Sequence, residues 1–101
     1  MFLVRFSFAF RPVDREAALA FIRREVTAAQ DFGLVARLLV PLTRGHGGAS
    51  MHVEVEMQSL DQLETFRQRG AGSGDETEDW MRAFSEILTS PPATEIMRIA
   101  V

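Results

Sequence analysis

The hydrophobic and polar positions switch period several times along the chain, and the switches mark out its elements. Residues 2–10 alternate with the two-residue period of a strand. Phe2, Val4, Phe6, Phe8 and Phe10 fall on one face, and Leu3, Arg5, Ser7 and Ala9 on the other. Five large apolar side chains on one face predict a strand that packs on helices. Pro12 breaks it, and Asp14 is placed to cap the next element. From Val13 to Gln30 the period becomes helical. Ala18, Ile22, Val26 and Ala29 form an apolar stripe, widened by Leu19 and Phe21. Arg15, Glu16, Arg23, Arg24 and Glu25 are expected on the wet side, with Asp31 and Gly33 ending the helix.

Leu34 to Leu42 reads as a second strand, with Leu34, Ala36, Leu38, Val40 and Leu42 opposite Val35, Arg37 and Leu39. Thr43 to Gly48 is a Gly-rich hairpin connection containing His46. Ser50 to Met57 is a third strand, with Met51, Val53, Val55 and Met57 inward and His52, Glu54 and Glu56 outward. Ser59 and Gln62 have the spacing of a capping box. Leu60, Leu63 and Phe66 continue as a helical stripe, and Gly70 is its expected stop. A second helix begins near Asp75 or Thr77, with Trp80, Met81, Phe84, Ile87 and Leu88 on its buried side. Pro91-Pro92 ends it. Ala93 to Val101 is the last strand, alternating Thr94, Ile96, Arg98 and Ala100 against Glu95, Met97, Ile99 and Val101.

This order is β-α-β-β-α-α-β. It predicts one α+β domain over residues 1–101, a ferredoxin-like βαββαβ plan with a four-stranded antiparallel sheet. The expected spatial strand order is 4-1-3-2, with the helices on one face. The other face would carry Arg5, Arg37, His52, Glu54 and Glu56, joined by Arg98 if Met97 and Ile99 pack on the helices. Arginines on strands one and two would then flank the acids of strand three. This face reads in two ways. Its charges can satisfy each other under a covering partner. Alternatively it lines a polar cavity in which Arg5, Arg37 or Arg98 anchors an anion and His52 or Glu54 moves a proton. Leu3, Ala9, Val35 and Leu39 are interleaved with the charges, which favours coverage over free exposure.

Composition narrows the chemistry. The chain has 101 residues, a net charge of −3 and no cysteine. Disulfides and thiolate metal sites are thereby excluded, and nucleic acid and anionic membranes are disfavoured as partners. Nor does the sheet face offer the stacking aromatics that single-stranded nucleic acid needs. No apolar run approaches a membrane span, no signal peptide is recognisable, and a cytoplasmic protein is expected. All 11 basic residues are arginine, and tyrosine and asparagine are absent too. Schiff-base, cysteine and tyrosine chemistry are therefore unavailable. His46 and His52 could share a metal with Glu54 only across the flexible loop, so no metal and no cofactor is expected. Trp80 is a core residue by its spacing to Phe84, and otherwise a candidate wall of a ligand pocket.

Four runs carry a family resemblance: FLVRFSFAF, MHVEVEMQSLDQLETFR, DETEDWMRAFSEIL and PPATEIMRIA. Together they resemble the dimeric α/β-barrel superfamily over nearly the full length. The spacing of the second half is similar to that of NIPSNAP-like proteins. The resemblance implies a homodimer that pairs its open sheet faces into a barrel, often with a pocket between sheet and helices. It also implies a small hydrophobic or aromatic ligand. Cofactor-independent monooxygenases of antibiotic biosynthesis, haem-degrading monooxygenases and polyketide cyclases are among its members. Haem degradation in this group is expected to use an Asn, a Trp and a His, and this chain has no Asn. A monooxygenase or cyclase acting on a polyketide-like aromatic would use His52 or Glu54 as base, and Arg5, Arg37 or Arg98 to stabilise an enolate.

Overall fold

A computed structural model describes residues 1–43, 48–69 and 75–100; the side chains of 66–69, 75–78 and 80 are outside the description. His46, Gly70 and the side chains of Phe66 and Trp80 therefore lie outside the described residues. The elements occur in the predicted order: β1 (Phe2–Phe8), α1 (Arg15–Asp31), β2 (Val35–Leu39), β3 (Met51–Met57), α2 (Leu60–Arg69), α3 (Asp75–Ile87) and β4 (Ala93–Arg98). The strands form one antiparallel sheet in the order β2-β3-β1-β4. This is the predicted order read from the opposite edge.

The core lies between one sheet face and the helices. Val4, Met51, Val55 and Met57 from the two central strands are buried there with Ala18 and Ile22 of α1. Phe84 of α3 stacks on Phe21 of α1 with ring centroids 5.1 Å apart and meets Phe8 of β1 at 5.3 Å. One aromatic ring thus joins two helices and the sheet. The core reaches α3 through Phe84 and stops short of Met81, which is exposed, as is Leu60 at the start of α2. Both were expected on buried stripes.

Several boundaries shift for identifiable reasons. A 3-10 turn over Pro12–Asp14 precedes α1. Asp14 makes no side-chain cap; its carboxylate accepts a bond from Arg11 Nε at 3.1 Å instead. At the other end Gly33 adopts φ +79°. The Gly33 amide donates to Gln30 and the Leu34 amide to Ala29, at 2.8 and 3.1 Å. These are the two bonds of a Schellman motif, which turns α1 straight into β2. The second strand ends at Leu39 rather than Leu42, because Pro41 lacks the amide that the sheet requires. The capping box is altered. Ser59 Oγ accepts from the Gln62 amide, but Gln62 Oε1 reaches the amide of Gln58 rather than that of Ser59.

Replacing Gly33 with alanine should cost about 1 kcal/mol, because an L-residue is strained at positive φ. Beyond the two adjoining residues no atom lies within 4 Å of the added methyl, so the loss is conformational. Urea unfolding of Gly33→Ala beside the wild type measures it, with no change in slope expected.

Candidate functional site

Strand register decides which side chains share the open face, because residues directly opposite each other point the same way. Three rows result. The first is Val35, Glu56, Leu3 and Met97, reading from β2 to β4. The second is Arg37, Glu54, Arg5 and Glu95, and the third is Leu39, His52, Ser7 and Ala93. The middle row alternates in charge across all four strands, and the rows beside it are largely apolar or neutral.

Glu54 is the centre of this face. Its Oε2 accepts from Arg5 Nε at 2.9 Å and Arg5 Nη2 at 2.6 Å. Its Oε1 accepts from Arg37 Nε at 3.3 Å and Arg37 Nη2 at 3.0 Å. Each oxygen thus takes two N–H groups from one guanidinium. The carboxylate is 4% exposed, whereas Arg5 and Arg37 are 36% and 58% exposed. Burial by itself would raise the Glu54 carboxyl, but the hydrogen bonds and charges of Arg5 and Arg37 outweigh it and hold it below its ordinary value. A carboxylate held this way is a weak proton acceptor. Its chemistry is to fix two guanidinium groups, each with an exposed edge.

His52 lies in the next row. Its Nδ1 is 2.9 Å from Ser7 Oγ, directly across β1, and Leu39 is its neighbour on β2. This contact orients the ring and leaves Nε2 as the nitrogen that Ser7 does not use.

The structure therefore brings together Arg5, Arg37, His52 and Glu54, with Glu56 one row away. It does not bring Arg98 to them. Arg98 pairs with Phe2 and Ile96 with Val4, so both stand on the helix side, while Met97 faces outward beside Leu3. Placing Arg98 on the open face required Met97 and Ile99 to pack on the helices, and β1 register imposes the reverse. Trp80 belongs to α3, and its side chain is outside the described residues.

Three features escaped the sequence reading. Glu95 could not be placed while each face of β4 mixed apolar residues with one charged residue. Ser7 became significant only once register put it against His52. Glu25 was expected on the wet side of α1 but is half-buried, and burial raises its carboxyl against the opposing pull of Arg24. The spacing of Ala18, Ile22, Glu25 and Ala29 on one helical face was the available signal.

On the helix side, the described residues leave β4 uncovered. Thr94, Ile96 and Arg98 are exposed, with Ile96 at 48%, beside half-buried Phe2 and Phe6 of β1. They form an apolar strip with a guanidinium at one end.

No family model matches this sequence, and no curated protein sequence does either. Solved structures do match in fold. A Mycobacterium tuberculosis protein superposes with a TM-score of 0.74 at 18% identity, over 99% of this chain and 95% of its own. A NIPSNAP family protein from Agrobacterium tumefaciens gives 0.72 at 17% identity, over 98% and 85% of the two chains. An antibiotic biosynthesis monooxygenase gives 0.71 at 12% identity over the whole of both. The chain has the ferredoxin-like fold of these proteins. At such identities the likeness concerns fold and carries no residue roles.

Glu54→Gln should destabilise the chain by about 2 kcal/mol at neutral pH, since two guanidinium groups lose their shared anion. Because folding lowers the Glu54 carboxyl from 4.5, its contribution is complete above that value. The contribution is lost as pH falls through the lower folded value. Thermal unfolding from pH 7 to pH 2 should therefore show a shallower acid decline in Glu54→Gln than in the wild type.

Proposed function

We propose that two copies of this chain close a barrel through their open sheet faces, and that each copy binds a small aromatic acid on the helix side of β1 and β4. The exposed strip on that side carries the ligand reading. Phe2, Phe6 and Ile96 offer a flat apolar floor, and Arg98 supplies a fixed positive charge at its end. An aromatic ring bearing a carboxylate or sulfonate matches both. Arg98 thus keeps a part in anion binding, at a different place from the sheet cluster. Pairing through the other face leaves this strip accessible. Among the described residues no helix is long and apolar enough to cross a membrane, and the cytoplasm is the compartment assumed in this reading.

The fold shared with an antibiotic biosynthesis monooxygenase, together with the oriented imidazole of His52, favours a second reading. Here the substrate lies between the paired open faces. His52 Nε2 takes a proton from a phenolic or enolic carbon acid, and the exposed edge of Arg5 or Arg37 stabilises the enolate. Glu54 holds those guanidinium groups in place rather than acting as base. The electron-rich enolate carbon then reduces dioxygen and forms a C–O bond to a peroxide that His52 protonates. Loss of water from this hydroperoxide leaves a carbonyl. In a cyclase the enolate carbon adds instead to a carbonyl of the same substrate, whose oxygen takes the proton, with no cofactor in either case.

Two measurements separate the readings. Anilinonaphthalene sulfonate should bind the wild type with a rise in fluorescence. Arg98→Ala should weaken it about tenfold, the loss of one charge-assisted contact, and Ile96→Glu should abolish binding. Equal affinity in all three proteins overturns the strip as a ligand site. For the second reading, oxygen uptake with hydroxylated anthrones should fall at least ~100-fold in His52→Ala. Unchanged uptake removes His52 as the base.

A further inference from the structure

The middle row of the open face is a sequence of charges with a direction. From β2 to β4 it reads Arg37, Glu54, Arg5, Glu95: plus, minus, plus, minus. Its first three members are already paired, since Glu54 holds both Arg5 and Arg37. The two ends of the row are still open. Arg37 at the β2 end is 58% exposed, and Glu95 at the β4 end is exposed without an ion pair among the described residues. One end of the row therefore presents a cation and the other an anion, with Leu3, Val35, Leu39, Ala93 and Met97 in the rows on either side.

We infer that the second copy on this face is set by that row, with the two-fold axis running along the strands, so that Arg37 of each copy meets Glu95 of the other. This deepens the pairing proposed above and rests on it. The argument is one of symmetry. Two sheets stacked face to face with nearly aligned strands, roughly 30° apart, allow two in-plane two-fold axes. An axis across the strands lays each strand on its own copy, and where it runs along this row Arg37 faces Arg37 and Glu95 faces Glu95. An axis along the strands lays β2 on β4 and β1 on β3. The row plus, minus, plus, minus then meets its own reverse, and every position faces its opposite. The third row meets itself with Leu39 over Ala93 and His52 over Ser7. Like charges in a closing interface disfavour the first arrangement, whereas the second adds two intermolecular ion pairs that specify orientation.

The test is charge exchange combined with sedimentation equilibrium. Glu95→Arg should weaken the dimer at least ~10-fold, because each Arg37 then faces an arginine. Arg37→Glu should weaken it similarly. An equimolar mixture of the two variants should associate as a heterodimer more tightly than either alone, and the double exchange should recover dimerisation. Because Arg37→Glu also disturbs Glu54, a second experiment avoids that residue. The native chain has no cysteine, so Leu39→Cys/Ala93→Cys can be treated with a short bis-maleimide. The double variant should cross-link into dimers, and neither single variant should. A wild-type monomer overturns the pairing itself. A wild-type dimer indifferent to Glu95→Arg, or one in which Leu39→Cys alone cross-links, overturns only the orientation.

Discussion

The sheet is organised around a buried anion that belongs to no single pair of strands. Glu54 sits in the middle of β3, and its two oxygens reach β1 on one side and β2 on the other. Alternate positions of β3 are apolar and enclosed, so a one-residue slip would drive the carboxylate into the core. Such a slip would also strip it of both guanidinium groups, at the high cost of an unpaired buried charge. Apolar alternation already disfavours a slipped register. The ion cluster disfavours it again, by an independent interaction, on three strands together.

Helix placement depends on this fixed sheet. The Schellman turn at Gly33 brings the chain from α1 into β2 with few residues to spare, so α1 must lie over the β2–β3 side. Phe84 then draws α3 toward α1 and β1. Coverage is unequal as a result. Among the described residues the helix layer covers the β2 side, while Thr94, Ile96 and Arg98 on the β4 side are exposed. The aromatic strip beside Arg98 is thus a by-product of where the helices are tethered.

Element order, strand order and the inward set of β3 were legible in the sequence because each rests on a strong local period. That Arg5 and Arg37 share a face with the acids of strand three was legible too, since three alternating strands in a known order leave those residues little choice of face; register then selects Glu54 over Glu56. What could not be read depended on longer-range facts. Both faces of β4 carry apolar and charged residues in similar numbers, so only its register with β1 assigns Arg98 and Glu95. The hydrogen bond between Ser7 and His52 needs the same knowledge at β1 and β3. Asp14 illustrates a different failure. The residue type suited a cap, but Arg11 competed for its carboxylate and the 3-10 turn displaced it.

Sharing one carboxylate between two arginines also shapes how this chain can diverge. Were Glu54 to change alone, two cations would face each other across β3. Were either arginine to change alone, half of a buried anion would go unmet. The three positions behave as one unit whose effects do not add. A lineage leaving this arrangement must pass through a less stable intermediate, or exchange the set almost together. In a diverging set of such chains, Arg5, Arg37 and Glu54 should be kept or lost in concert, while Val35 and Leu39 beside them drift singly.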